Sequence, residues 1–183
     1  MDTFIGLGIV VKNNDNLENE LESFFDFLEI HVSEMDVSYP KDGDYNDRQS
    51  KKVFGDYSDL VDELAFKGSQ AEFQLRVGDT SYRTLLTLSN QDEDLVVHLA
   101  LEDVFGIKRS IEELELLTQS LSSFISNIEN HMTYDYIFCD NEAEYLYKKE
   151  RMFELGYNPY AILKFYDRSV AYAAWYVDGQ TAR

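Results

Sequence analysis

Three histidines, one cysteine and a large surplus of acids are the groups with which this 183-residue chain could do chemistry. His31, His98 and His131 show no HExxH or other close metal spacing, so a structural or surface role is expected of each. Cys139, beside Asp140 at an expected strand end, could act as a nucleophile with His98. No catalytic motif surrounds it, and a small buried thiol is the reading the residues favour. A single cysteine also leaves no internal disulfide and no CxxC pair, which agrees with a reducing compartment. Asp42-Gly43-Asp44-Tyr45-Asn46-Asp47 opens like a calcium loop. Its sixth place lacks glycine, however, and Val53 stands where the bidentate glutamate should be. Gly6 and Gly8 lie inside an apolar run without a third glycine or a Walker lysine, so close backbone packing is expected there rather than phosphate binding. No catalytic residue, metal or cofactor is assigned.

The acids are the stronger signal. Sixteen Lys and Arg against 35 Asp and Glu give a formal net charge of -19 on a chain that is 44% hydrophobic. That apolar share argues for a folded domain with a negative surface, whose long-range field favours basic partners and disfavours nucleic acid. Residues 1–66 alone carry a net charge of -11. Glu18, Glu22, Asp26 and Glu29 recur at i, i+4, i+8 and i+11 with no lysine to relieve them, at a cost of roughly 0.2–0.5 kcal/mol per like-charged pair. Asp42, Asp44 and Tyr45 follow in an adjoining polar stretch. Nine of the thirteen tyrosines lie after residue 133, with the only tryptophan, Trp175. Tyr172 and Tyr176 share one face of an expected strand there, which makes them candidate contact residues.

These groups need a frame. Phe4 to Val11 reads as a central strand covered on both faces. Leu17, Leu21, Phe24, Phe25, Leu28 and Val32 predict an amphipathic helix. Residues 36 to 55, with Pro40, Gly43 and many polar side chains, read as a long exposed loop. A short helix is expected from Ser58, with Gly68 as its stop, then strands at Ala71–Val77, Ser81–Ser89 and Leu95–Leu101 in an antiparallel meander. Ser110 with Glu113 forms a capping box for a long helix reaching about His131. Tyr134–Cys139 is an expected strand, Asn141 with Glu144 a second capping box, and Ala143–Leu155 a helix. A hairpin of Ala161–Tyr166 and Val170–Val177 closes the chain. The sum is a single α+β domain over residues 1–178, a mostly antiparallel sheet with amphipathic helices packed on it, and a frayed tail at 179–183. The longest apolar run is far short of the roughly 20 residues a membrane span needs, so a soluble, cytoplasmic protein with no membrane partner is expected. Nothing in the residues sets an oligomeric state.

The opening strand Phe4-Ile5-Gly6-Leu7-Gly8-Ile9-Val10-Val11, the acidic helix after it and the closing hairpin with Tyr172, Trp175 and Tyr176 together resemble the small immunity proteins of bacterial polymorphic toxin systems. The resemblance implies a non-enzymatic protein that binds a cognate toxin and occludes its active site or a neighbouring surface. A basic nuclease toxin would suit the charge. Glu22, Asp26 and Glu29, with Asp42 and Asp44, would then stand in for substrate phosphates. Two alternatives use the same residues: a phage or mobile-element DNA mimic that blocks a host defence nuclease, and an enzyme built on Cys139 and His98.

Overall fold

A computed structural model of the chain describes residues 4–12, 14–91, 93–102 and 110–182. Thr3 and Asn13 beside the first strand, Asp92 in the connection expected at Asn90 to Asp94, and Arg183 of the expected tail lie outside them. The apolar run is β1 (Phe4–Lys12), held between β6 (Asp94–Glu102) and β7 (Tyr136–Asn141), antiparallel to both. Because side chains alternate across a strand, Ile5, Leu7, Ile9 and Val11 enter one core while Gly6, Gly8 and Val10 face the other. The meander is β4 (Gln70–Val77), β5 (Thr80–Gln91) and β6, each pair antiparallel. With β2 (Asp36–Lys41), β3 (Asp44–Lys52), β8 (Ile162–Phe165) and β9 (Ala171–Tyr172), all nine strands form one sheet, ordered β3-β2-β4-β5-β6-β1-β7-β8-β9. The chain is therefore a single α+β domain with an antiparallel sheet, as expected.

Three helices cover the first face. In α1 (Leu17–Phe27) the buried residues Leu21, Phe24 and Phe25 point at the sheet. The helix stops short of the expected Val32. Ile30 N–H bonds to Phe25 O at 3.1 Å and Glu29 N–H to Asp26 O at 2.9 Å, the paired bonds of a Schellman motif, with Glu29 at the left-handed position (φ 58°). Ile30 and Val32 continue the apolar pattern beyond the helix, Val32 opening a 3-10 turn (Val32–Glu34). α2 (Tyr57–Leu64) starts on Asp56, whose side chain accepts from Ser58 and Asp59 N–H while the Asp59 carboxylate accepts from Asp56 N–H. It ends at Leu64, before Gly68, which turns at φ 80° against Pro40 and Tyr45. α3 (Ile111–Ile128) opens with the expected capping box, Ser110 N–H to Glu113 at 2.7 Å and Glu113 N–H to Ser110 Oγ at 3.2 Å. Gly78, at the β4–β5 turn, lies against Ser120 of α3, and Trp175 Nε1 donates to Thr118 on the same helix at 2.9 Å. In a flat sheet β4 and β8 would stand roughly 24 Å apart, more than twice a helix diameter of about 10 Å. α3, whose 18 residues span about 27 Å, packs against both strands.

Three expectations give way to tertiary structure. Residues 36 to 55 are an exposed hairpin rather than a loop: β2 and β3 meet at Asp42 and Gly43, both with positive φ (48° and 83°), and Pro40 sits where the register shifts. β3 is an edge strand with almost no buried side chain, so its polarity is what an unpaired edge requires. The helix expected at Ala143–Leu155 shrinks to α4 (Lys149–Glu154), and the Asn141–Glu144 capping box is replaced by the last residue of β7 followed by Glu142 at φ 55°. Core side chains hold the backbone between them: Tyr136 OH donates to Tyr147 O, Tyr160 OH donates to Glu144 O at 3.0 Å and accepts from Leu146 N–H at 3.2 Å, and His98 Nε2 bonds Ala143 O at 2.9 Å. The tail, expected to fray, turns back through residue 181, since Thr181 Oγ1 donates to Trp175 O at 2.6 Å and accepts from Val177 N–H at 3.0 Å.

The irregular segment lies over a second, smaller core of Val10, Val96, Tyr136, Phe138, Ala143, Met152, Tyr160 and Leu163. Its floor is the pair of glycines in β1. A Cβ on Gly6 would fall 2.1 Å from Ala143 O, and one on Gly8 would fall 2.0 Å from the Phe138 ring, itself stacked on Tyr160 at 4.6 Å. The ring has no room to retreat. Gly8→Ala is expected to lower stability by about 1–3 kcal/mol through overpacking, read as a lower urea midpoint at unchanged m-value; an unchanged midpoint would contradict this packing.

Candidate functional site

The first acidic candidates gather between α1 and α2. Glu18 and Glu22 line a cleft of about 120 Å³ with Asp56, Tyr57, Ser58 and Val61. Tyr57 OH donates to Ile30 O at 3.1 Å and reaches Asp26 Oδ1 at 3.5 Å. Burial raises the Tyr57 pKa, and the neighbouring Asp26 and Glu22 charges raise it further. Asp59 and Asp62 extend the negative surface along the exposed side of α2. Glu18, Glu22, Asp26, Asp56, Asp59 and Asp62 make no ion pair among the described residues, and neither helix carries a lysine or arginine. Phe54 stands 81% exposed just before α2. Glu29 leaves this line, because its left-handed position after the helix takes it off the α1 face.

Asp42, Asp44 and Tyr45 lie at the tip of the β2–β3 hairpin, toward the other end of α2. Asp44 Oδ1 accepts from Asn46 N–H at 2.9 Å, so this carboxylate shapes the turn. Tyr45, 55% exposed, joins Tyr39, Pro40 and Phe66, which is 66% exposed, around a groove of about 620 Å³. Its wall holds the Lys51–Glu63 ion pair, and Lys67 adds a second positive charge. This groove is aromatic without being negative.

The closing aromatics separate. Tyr172 is exposed on β9, at the opposite end of the strand order from β3, and lines a shallow polar cleft with α3. β9 ends at Tyr172, so Tyr176 does not share its strand face. The Tyr176 N–H instead donates to Asp140 Oδ1 at 2.8 Å, and its ring lines a cleft on the second face. Neither tyrosine borders the acidic α1–α2 cleft or the hairpin groove. Asp140 organises this region: its carboxylate also accepts from Asn141 N–H at 2.8 Å and Ala161 N–H at 3.0 Å.

His98 and Cys139 do not converge. His98 pairs with Gly8 across β6 and β1 and faces the second core, whereas Cys139 pairs with Leu7 and enters the first, so the sheet stands between them. The Cys139 thiol is fully buried and its pKa is pushed up by desolvation. Burial lowers the His98 pKa, which leaves a neutral ring whose Nε2–H donates to Ala143 O. His131 stacks on Phe27 at 4.4 Å, and no group of three His, Cys, Asp or Glu among the described residues could hold a metal ion. No described helix is long and apolar enough to cross a membrane.

Comparison with known families adds to this geometry. A model described as immunity protein 64 matches residues 4–183. The chain belongs to the immunity protein 64 family. No curated protein and no solved structure matches it. Membership makes a toxin the expected partner of this immunity protein and turns attention to exposed side chains. Sequence reasoning passed over Phe54 and Phe66, although both fall off the Leu60 and Leu64 stripe of α2, a signal that they face outward. It also passed over the cap acids Asp56 and Asp59, and Asp62 beyond them, as neighbours of the α1 acids.

His98 gives the immunity protein a pH signature. Its folded pKa lies below the ordinary 6.5, so as pH falls the unfolded imidazole takes up a proton first and folding stability drops on acidification through that value. His98→Gln, which can keep the donor to Ala143 O, is expected to flatten this slope from pH 7 downward in urea midpoints. Parallel slopes for the two proteins would reject the assignment.

Proposed function

We propose that this immunity protein neutralises its cognate toxin by stoichiometric binding, with the α1–α2 face docking on a basic surface of the toxin. The observation that carries the reading is the set of six carboxylates, Glu18, Glu22, Asp26, Asp56, Asp59 and Asp62, without cations among the described residues and with exposed Phe54 beside them. Such a field raises the association rate toward a cationic partner, and desolvation of the aromatic ring then slows dissociation. A nuclease toxin fits best, because a cleft that binds phosphates must be basic, and closely spaced carboxylates can occupy it as phosphates do. Asp42, Asp44 and Tyr45 extend the contact at the far end of α2, while Tyr172 lies apart. The polymorphic toxin setting and the cytoplasm, where a self-directed toxin would meet its substrate, belong to the same proposal.

Charge reversal tests it. Glu22→Lys with Asp26→Lys is expected to slow association with the cognate toxin by about tenfold at low salt and to flatten its salt dependence, with unchanged thermal unfolding. Phe54→Ala is expected to act on dissociation instead. Unaltered association kinetics in the reversed protein would overturn the role of this face.

A further inference from the structure

The second face of the sheet carries a cleft that the acidic helices do not touch. It holds about 700 Å³ between the irregular segment after β7 and the end of the chain, lined by Tyr147, Tyr157, Tyr160 and Tyr176 with Leu146 and Pro159. Tyr157 and Leu146 are 61% and 58% exposed. Asp140, Glu142 and Glu144 complete the lining, which contains no lysine or arginine. Glu142 and Glu144 make no ion pair among the described residues. Arg151, whose charge reaches Tyr147, is engaged with Glu154 at 2.9 Å. The Asn158 Nδ2, in the same lining, is shielded from solvent and meets no acceptor among the described residues, while its Oδ1 accepts from Tyr160 N–H at 3.1 Å.

We propose that this cleft receives an arginine side chain presented by a loop of the partner protein. Ring faces carry negative electrostatic potential and attract a cation, most of all a weakly hydrated planar guanidinium that can lie flat on them. The carboxylates of Glu142 and Glu144 add charge complementarity. The walls are preorganised. Tyr160 is locked by Glu144 O and Leu146 N–H, and Tyr176 is held through its backbone by Asp140. The chemistry of the cleft stands on its own; that the loop belongs to the toxin rests on the proposed function above.

The test begins without a toxin. N-acetyl-arginine methylamide is titrated into protein carrying ¹³C-labelled tyrosine rings, with the neutral citrulline counterpart as control. Saturable shifts at Tyr157 and Tyr176 are expected with arginine only. Tyr157→Ala, an exposed position whose truncation leaves the core intact, should abolish them, and Glu144→Gln should weaken them. The Glu22→Lys, Asp26→Lys protein should give the same titration as the parent, which separates this cleft from the acidic helices. Equal shifts with citrulline, shifts that survive Tyr157→Ala, or no shift at the cleft tyrosines would each overturn the inference. With the cognate toxin, Tyr157→Ala is expected to speed dissociation about tenfold. An unchanged rate would overturn the assignment of the arginine to the toxin even where the acidic face is upheld, and a helix reversal without effect would reject that face while leaving the cleft standing.

Discussion

The absence of two side chains governs this structure. β1 is buried on both sides, and on the second side Gly6 and Gly8 leave the backbone bare, so that the Ala143 backbone and the Phe138 ring lie directly against it. A central strand needs cover on both faces, and here three helices supply one cover while the other is an irregular stretch of chain with the short α4. Irregular backbone can lie on a core only if its amides and carbonyls find partners there. The tyrosines and His98 provide them. Tyr136, Tyr160 and His98 together serve Ala143, Glu144, Leu146 and Tyr147, doing for this stretch what helical hydrogen bonds would have done.

That requirement accounts for the crowding of tyrosine into the last third. A phenol brings a large apolar ring to the core and a hydroxyl to its rim, so it can fill volume and hold backbone at once. Burial accordingly raises the pKa of Tyr134, Tyr136 and Tyr160. Tyr134 uses its proton on Glu129, which also pairs with the buried Lys164 at 2.6 Å and whose carboxyl is held below its usual range by that lysine. Tyr157 and Tyr172 have no such duty and remain at the surface.

Legibility in the sequence followed the range of the forces involved. Local signals were readable: the apolar run of β1, the meander and the Ser110–Glu113 box all depend on neighbours in sequence. The β2–β3 hairpin was missed because an edge strand is polar for reasons of topology, although Asp42-Gly43 is a turn signal in its own right. The stripe of α1 misled because Ile30 and Val32 stay buried after the helix has ended, so periodicity outlasted the structure and carried Glu29 with it. For the stretch after β7, helix-compatible residues were overruled by hydrogen bonds from side chains at least eleven positions away. Of the candidate site, Glu18, Glu22 and Asp26 were legible from spacing. The meeting of Glu18 and Glu22 with Asp56 needed the packing of α1 on α2, and the split between Tyr172 and Tyr176 needed the early end of β9.

The net charge itself divides unevenly once partners are assigned. Asp140 spends its carboxylate on three backbone amides, Asp135 on Lys149 at 2.8 Å, Glu129 on Lys164, and Glu72 and Glu102 share Arg83 at 2.6 and 3.0 Å. Arg48 is committed to Ser38 and to Gly68 O, holding the hairpin to the chain after α2. With only 16 lysines and arginines in the chain, cations engaged in these contacts are not available to α1 and α2. Those two helices instead use acids for their own architecture, as caps at Asp56 and Asp59 and as a solvent face at Glu18, Glu22 and Asp26. Like charges at helical spacing repel, yet the repulsion on a solvated helix amounts to only tenths of a kcal/mol per pair, which the burial of Leu21, Phe24 and Phe25 exceeds many times over. The fold can thus carry a surface that is unfavourable in isolation and relieved by a cationic neighbour, and the strength of the core is what makes that surface affordable.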